Sequence, residues 1–199
     1  IARFNADGSL DTSFGGDGTV SFGVIPGQVF DNGGVPEIIS GSLDSAASID
    51  VGADGKIVVT GVTINPDIFF TQQQVVIARF NPDGSPDSSF NGGGYATSNF
   101  SFQNGEVTGT LVQSDGMVVA VGHVNDFGTY DIAVGRLTGD GATDFGFGNL
   151  NGFSLIDAGG HEFAFDVAQQ ADGNLVIVGE SLAGSGDFLI VRLGSSDGA

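Results

Sequence analysis

The sequence contains no cysteine and very few basic residues, and both shortages exclude whole classes of function. Without cysteine there are no disulfides, thiol nucleophiles or Cys-ligated zinc sites. Five Lys and Arg side chains oppose 24 Asp and Glu side chains, so the formal net charge is −19. Nucleic acids and anionic membranes are both bound through basic side chains, so neither is expected as a partner. No apolar run approaches the roughly 18 residues of a membrane span, so membrane insertion is not expected.

Glycine is abundant, with 35 of the 199 residues, whereas proline supplies only five. Hydrophobic residues reach 40%, which is more than a disordered Gly-rich chain carries. The chain begins with Ile1 rather than Met and shows no signal-peptide pattern. We therefore expect a folded chain that is a processed or excised piece of a longer protein.

Two motifs recur along the chain with a period of about 57 residues. The first runs from Ile1 to Phe14 and returns from Ile77 to Phe90, and weaker copies begin at Val134 and Ile190. The second is an Asp-Gly pair followed by an apolar run and a further glycine, and it begins at Asp54, Asp115 and Asp172. The chain is therefore built from repeats, the first of which carries insertions.

Each repeat consists of short runs rich in Val, Ile and Phe, and these runs are separated by clusters of Gly, Asp, Asn and Ser. No segment has a sustained helical period, and the pattern is typical of short antiparallel strands. Four strands fit one repeat, and four-stranded units at this period indicate propeller blades. In the first complete unit we predict strands at Ala46–Val51, Ile57–Gly61, Val75–Phe80 and Tyr95–Phe100.

The residues from Ala2 to Gly18, together with those from Asp54 to Val59, resemble the delta-60 β-propeller repeat of large bacterial, mostly extracytoplasmic proteins. The resemblance implies a propeller fold and a secreted or cell-surface location in bacteria. It implies no activity and no catalytic residues. The third copy departs from the pattern, because Thr138 and Gly139 replace the Asn-Ala or Asn-Pro pair.

The predicted fold is all-β, a propeller-like arc of four-stranded antiparallel blades with about three repeats. Residues 1–22 would be the last two strands of a preceding blade, 23–100 a blade with insertions, 101–156 a blade and 157–199 an incomplete blade. This division gives 13 strands, whereas a closed ring needs at least about 16. We expect the rest of a larger propeller, or a second copy, to complete the open strand edges.

Four of the five basic residues occupy one repeat position. An anion-binding ring is one interpretation, but a structural role is favoured, in which each residue bonds turn carbonyls or an Asp of its own blade. In the first three copies an Asp follows eight residues later as a natural partner. The four residues are Arg3, Arg79, Arg136 and Arg192.

The turn between Asn5 and Asp11 weakly resembles a calcium loop, because oxygen-bearing side chains alternate before a glycine. The candidate ligands are Asn5, Asp7 and Asp11. The bidentate Glu that ends EF-hand-type loops is missing, and Asx turns explain the same residues. No cofactor is therefore required, although calcium binding is compatible with the pattern.

The two ends of the predicted blades differ. Loops 1–2 and 3–4 carry the repeated Asp-Gly motifs, whereas loops 2–3 and 4–1 carry both insertions, Gly23–Asp44 and Val62–Gln74. Binding sites usually lie in loops that a rigid scaffold positions. We therefore expect a binding face at the second end, with the candidate contacts Asp67, Phe69, Phe70, His123, Asp126 and Glu180.

Asp157, His161 and Glu162 lie on the same face and are candidate metal ligands. Ordinary surface side chains are the simpler interpretation, because no H-E-x-x-H-like spacing fixes the histidines together. No Gly-x-Ser-x-Gly elbow is present either, so no catalytic residue is predicted.

We expect a non-enzymatic scaffold or binding module for a protein or carbohydrate partner. Two alternatives stay open at this point. One is a polysaccharide-acting enzyme that uses the same face. The other is a structural protein that assembles through open strand edges.

Overall fold

The fold is all-β, as the repeat pattern predicts. The computed structural model describes residues 1–24, 28–31, 36–39, 42–64, 73–98, 105–126 and 128–194. Within these ranges the chain forms 13 strands. The described residues contain no helix with the length and hydropathy of a membrane span.

Three antiparallel sheets follow one another along the chain, and in each of them strands that are adjacent in sequence pair with each other. A hairpin of β1 (Gln28–Asp31) and β2 (Pro36–Ile39) precedes them. The first sheet comprises β3 (Leu43–Val51), β4 (Ile57–Ile64), β5 (Gln73–Phe80) and β6 (Tyr95–Ser98). The second comprises β7 (Glu106–Val112), β8 (Val118–Asp126), β9 (Thr129–Leu137) and β10 (Phe153–Ile156). The third comprises β11 (Glu162–Gln169), β12 (Leu175–Ser181) and β13 (Asp187–Leu193).

The strand count equals the predicted 13 within the described residues, but two of the strands are not the predicted ones. Residues 1–22 were predicted to form two strands, and they pair only through isolated bridges, such as Ala2 with Thr19. The hairpin β1–β2 lies inside the insertion 23–44, which was predicted to be a loop. Its sequence signal is Asn32-Gly33 between two apolar runs, a strong hairpin pattern. The division into units 1–22, 23–100, 101–156 and 157–199 stays a prediction.

The second sheet lies between the other two and is buried on both faces. Its central strands are buried without interruption from Val118 to Val124 in β8 and from Asp131 to Leu137 in β9, as expected of strands covered on both sides. Side chains alternate along a strand, so Val118 and Ala120 pack toward the first sheet, whereas Val119 and Val121 pack toward the third. The blades therefore stack face to face, and their cores form between neighbouring sheets.

A glycine in the second strand of each sheet faces a β-bulge in the first strand. In the second sheet, a methyl group on Gly122 would collide with the carbonyl oxygen of Glu106. The equivalent residues, Gly61 and Gly179, are equally close to a carbonyl of the strand beside them. Close backbone approach therefore explains the glycine that ends the second sequence motif.

A buried phenylalanine, an arginine and an aspartate form one unit at the turn after the third strand. The guanidinium carbon of Arg79 lies 4.6 Å from the ring centroid of Phe90, and its Nε donates to Asp87 Oδ2 at 2.7 Å. Phe90 is fully buried. The same arrangement recurs in the trios Arg3–Asp11–Phe14 and Arg136–Asp144–Phe147.

This unit also reaches the following blade, which the sequence did not predict. Arg79 Nη1 donates to the carbonyl of Gly139 at 2.5 Å, and the Asn91 amide donates to the carbonyl of Asp140 at 2.7 Å. Both acceptors lie in the turn after β9. We call the Arg–Asp–Phe unit, with its hydrogen bonds to the next turn, the inter-blade lock. The lock at Arg3 likewise bonds the Pro82 carbonyl, and the Gly15 amide bonds that of Asp83.

The remaining basic residues lie at the same end of the sheets. Lys56 Nζ donates to Asp87 Oδ2 at 2.8 Å, so this carboxylate accepts from two cations. Arg192 donates to Asp172 at 2.6 Å and to Gln170 at 2.7 Å within its own blade. Every Lys and Arg of the sequence therefore pairs with an Asp.

We predict that Phe147→Ala lowers the free energy of unfolding by about 3–5 kcal/mol, because it leaves a cavity under Arg136 and between the second and third sheets. Phe145→Ala is the matched control, since this side chain lies two residues away and is 74% exposed. Its effect should stay within about 0.5 kcal/mol. Urea unfolding measures the free energy of unfolding of both variants, and equal effects would contradict a packing role for the buried Phe of the Arg–Asp–Phe unit.

A second prediction concerns how the stability that Asp87 contributes depends on pH. Burial alone would raise the pKa of this carboxyl, but hydrogen bonds from Lys56, Ser89 and Arg79 outweigh burial and hold the pKa well below its usual value. A lowered pKa in the folded state contributes stability that is complete well above the ordinary pKa near 3.8 and is lost as the pH falls through the folded value. Asp87→Asn should therefore destabilise the protein by about 3 kcal/mol at neutral pH.

The difference in stability between Asp87→Asn and the wild type should shrink steadily below about pH 4. Unfolding curves measured between neutral and strongly acidic pH test this. Asp187→Asn, at an exposed position of β13, is the control and should change stability by less than about 0.5 kcal/mol. A difference that is independent of pH would exclude the ion pairs as its source.

Candidate functional site

The two ends of the sheets are built differently. We call the end that carries the turns after the first and third strands the Asp-Gly end, and the opposite end the variable end. At the variable end, β8 and β9 are joined by two residues, whereas β12 and β13 are joined by five. Residues 157–161 connect the second sheet to the third at this end. The connections therefore differ from one blade to the next.

Four rings pack together at the variable end and join the second and third sheets. Phe163 of β11 lies 4.9 Å from the ring of His123 and 5.3 Å from that of Tyr130. The Tyr130 ring lies 5.5 Å from His123 and 5.8 Å from His161. The two histidines thus belong to one aromatic cluster, although His123 lies in β8 and His161 in the connection before β11.

The two histidines have different surroundings. His123 is buried, and its Nδ1 has no hydrogen-bond partner among the described residues. Burial lowers its pKa, and the charge of Glu106 opposes that shift. Nδ1 of His161 accepts a hydrogen bond from the Tyr130 amide at 3.2 Å. One nitrogen of the predicted metal ligand His161 is therefore used in holding the start of β9.

Three carboxylates converge beside this aromatic cluster. Asp131 of β9, Asp157 after β10 and Glu162 at the start of β11 each offer an oxygen, and these oxygens lie within 4.8 Å of one another. We call them the acidic trio. Asp131 and Glu162 are buried, with 5% and 0% exposure, whereas Asp157 is exposed. The trio brings together side chains from the second sheet, from the connection after it and from the third sheet.

The hydrogen bonds to the trio leave some of its oxygens without partners. Ser181 donates to Glu162 Oε1 at 3.2 Å, and the Gly159 amide donates to Asp157 Oδ1 at 2.7 Å. Asp131 Oδ1 and Glu162 Oε2 are buried and have no partner among the described residues. Burial raises the pKa of Asp131, and so do the charges of Asp157, Asp126 and Glu162, while a hydrogen bond from Thr129 opposes the shift.

The structure brings two of the three residues predicted as metal ligands together. Asp157 and Glu162 are in the trio, but His161 is not. Asp131 was missed by the sequence analysis. The sequence feature that could have identified it is a charged residue directly before the apolar run that starts at Ile132. In the structure all but the first two residues of β9 are buried.

The other predicted contact residues are dispersed. Asp126 ends β8 opposite Thr129, and its charge acts on Asp131. Glu180 lies in β12 between Phe163 and Phe188 of the flanking strands. Asp67, Phe69 and Phe70 lie outside the described residues.

The turn predicted as a weak calcium loop is organised by internal hydrogen bonds. Asp7 Oδ1 accepts from the Ser9 amide at 2.9 Å and from its hydroxyl at 2.7 Å. These two bonds, the hydroxyl first, lower the pKa of Asp7. Asn5 Nδ2 also donates to Ser9, and Asp11 accepts from Arg3 and Ser13. Within the described part of the chain, the acidic trio is the only group of three or more His, Asp or Glu side chains with ligand atoms this close.

Comparison with known proteins identifies a family for the repeats. A family model described as "Domain of unknown function (DUF5122) beta-propeller" matches residues 1–14, 52–90, 113–147 and 170–199, more than half of the chain. A search of curated proteins finds no match. The matched segments carry both sequence motifs and the Asp-Gly turns. The chain belongs to this family of β-propeller repeats.

Proposed function

We propose that the chain is a scaffold of propeller blades, of the delta-60 repeat type, that presents a binding face at its variable end outside the bacterial cell. The ligand on that face is a protein or a carbohydrate. The negative charge of −19 suits a soluble module in a saline or cation-rich medium. The extracellular location derives from the resemblance to mostly extracytoplasmic repeat proteins.

The observation that carries this proposal is the unequal use of polar side chains at the two ends. At the Asp-Gly end, all five basic residues pair with Asp side chains, and Arg3 and Arg79 also donate to a carbonyl of the following turn. At the variable end, four residues keep a buried polar atom without a partner among the described residues, namely Thr63, His123, Asp131 and Glu162, whereas at the Asp-Gly end Gln113 does. Unpaired buried polar groups are costly and cluster at functional sites.

The third sheet supports the role of a blade within a larger array. Phe188 and Ile190 of β13 and Val178 of β12 are exposed, at 100%, 70% and 43%. The residues at the same repeat positions in the second sheet, Ile132, Val134 and Val121, are fully buried against the third sheet. The exposed apolar face of the third sheet therefore resembles a surface that another blade of the same kind would cover. That blade would come from the rest of a propeller or from a second copy of the chain.

Two other functions remain as competing proposals. The edge strand β13 pairs only with β12 in the described chain, so strand-edge assembly into fibres is one of them. The other is a polysaccharide-acting enzyme that uses the variable end, because the two histidines of the aromatic cluster and the three carboxylates of the acidic trio lie there.

Binding to an array of purified polysaccharides and bacterial surface proteins tests the proposed face. We predict that the double variant Asp126→Ala with Glu180→Ala loses at least about tenfold in affinity for whichever probe the wild type binds, because both side chains lie at the variable end. Phe145→Ala, exposed at the Asp-Gly end, is the control and should bind like the wild type.

Loss of binding in the Phe145→Ala control alone would place the ligand at the opposite end and contradict the proposal. Release of new reducing ends from a bound polysaccharide would favour the enzyme instead. A wild type that binds no probe but elongates with concentration would favour fibre assembly.

A further inference from the structure

The acidic trio presents an electrostatic problem. Two of its carboxylates are buried, and all three offer oxygens within 4.8 Å of one another. Like charges at this separation repel strongly where water is excluded. An isolated buried carboxylate is also costly unless it is paired or coordinates a metal. Some positive charge or proton must therefore reside with the trio.

No basic side chain neutralises these carboxylates. Each of the five Lys and Arg residues forms its ion pair at the Asp-Gly end. Arg136 lies on the same strand as Asp131, but five residues of extended chain separate them by about 17 Å. That distance is far longer than the roughly 4 Å between nitrogen and oxygen that an ion pair requires. His161, which precedes Glu162 in the sequence, uses its Nδ1 to accept the Tyr130 amide.

The unpartnered oxygens provide an observation that is independent of the clustering. Glu162 is 0% exposed and keeps Oε2 without a partner, and Asp131 is 5% exposed and keeps Oδ1 without one. Buried carboxylate oxygens nearly always accept hydrogen bonds in folded proteins. Two such oxygens in one group of carboxylates indicate that another species completes their coordination.

The chemistry of the ligands favours calcium over other common ions. Calcium takes six to eight oxygen ligands at about 2.3–2.6 Å in a flexible geometry, which three carboxylates from separate segments can supply. Magnesium requires shorter bonds and a nearly ideal octahedron, whereas zinc prefers nitrogen and sulfur ligands. An all-oxygen set that spans up to 4.8 Å fits within a calcium coordination shell.

We propose that Asp131, Asp157 and Glu162 bind one calcium ion that joins the second and third blades at the variable end. Water or the ligand of this face would complete its six to eight oxygens. The ion would connect β9, the segment after β10 and the start of β11. It would therefore do at the variable end what the inter-blade lock does at the Asp-Gly end. This inference does not depend on the identity of any ligand.

Thermal unfolding in calcium and in chelator tests the proposal with the metal alone. At a free calcium concentration about 100 times Kd, the Tm of the wild type should rise by about 5–10 °C over its value in chelator. Asp131→Asn and Glu162→Gln should each weaken calcium binding by at least about tenfold, because each removes a charged ligand. Asp83→Asn, in the turn equivalent to the weak calcium loop, is the matched control and should keep the full rise in Tm.

The chelator arm separates a lost ligand from a damaged fold. Glu162→Gln can still accept the Ser181 hydrogen bond and removes a buried charge, so in chelator it should be at least as stable as the wild type. The order should reverse in calcium. Lower stability than the wild type by the same amount in both media would show a purely structural role and overturn the proposal.

Terbium emission gives a readout that locates the ion. Tyr130 is adjacent to Asp131, and the sequence has only one other Tyr and no Trp, so bound terbium should be excited through Tyr130. Tyr130→Phe should remove most of this emission while the calcium-induced rise in Tm remains. No calcium-dependent rise in the wild type, or a rise and emission that survive Asp131→Asn and Glu162→Gln, would overturn the proposal.

Discussion

The contact between one blade and the next at the Asp-Gly end is the constraint on which the rest of the structure depends. A single guanidinium covers a buried phenylalanine, pairs with an aspartate of its own turn and bonds a carbonyl of the following blade, as Arg79 does with Phe90, Asp87 and Gly139. Each of these contacts is modest alone, but together they satisfy the donors of a largely buried arginine. The Arg–Asp–Phe trio recurs with the sequence repeat, and its hydrogen bonds to the following turn join residues 1–22 to the first sheet and the first sheet to the second.

The pairing of every basic residue at the Asp-Gly end has a consequence for the opposite end of the sheets. All basic residues are used in ion pairs at the Asp-Gly end, so the variable end is left with carboxylates and two histidines. The loops there are free to differ in length and sequence, because the lock and the apolar cores between sheets already hold the blades together. Stability and recognition are thus assigned to different ends of the same strands, as in other scaffolds that carry functional loops.

The sequence predicts those features whose partners lie within one motif. Arg79 and Asp87 are eight residues apart, and turn chemistry connects them, whereas the acceptor Gly139 is 60 residues away and depends on how blades stack. Likewise Asp157 and Glu162 are close in sequence, but Asp131 reaches them from a strand of the preceding blade. His161 looks like a ligand from its position beside Glu162, and only the fold shows that its Nδ1 accepts the Tyr130 amide. Contacts within one repeat can be predicted from the local sequence pattern. Contacts between repeats cannot, because they depend on how the blades stack.

Hydrogen exchange of two backbone amides tests the inter-blade lock most directly. The Asn91 amide donates to Asp140 and the Gly15 amide to Asp83, and both bonds exist only when neighbouring blades are docked. If the lock couples the blades, these amides should exchange as slowly as the core amides of β8, through nearly global unfolding, although Asn91 and Gly15 are exposed residues in loops. Exchange as fast as that of freely exposed turn amides would contradict the account.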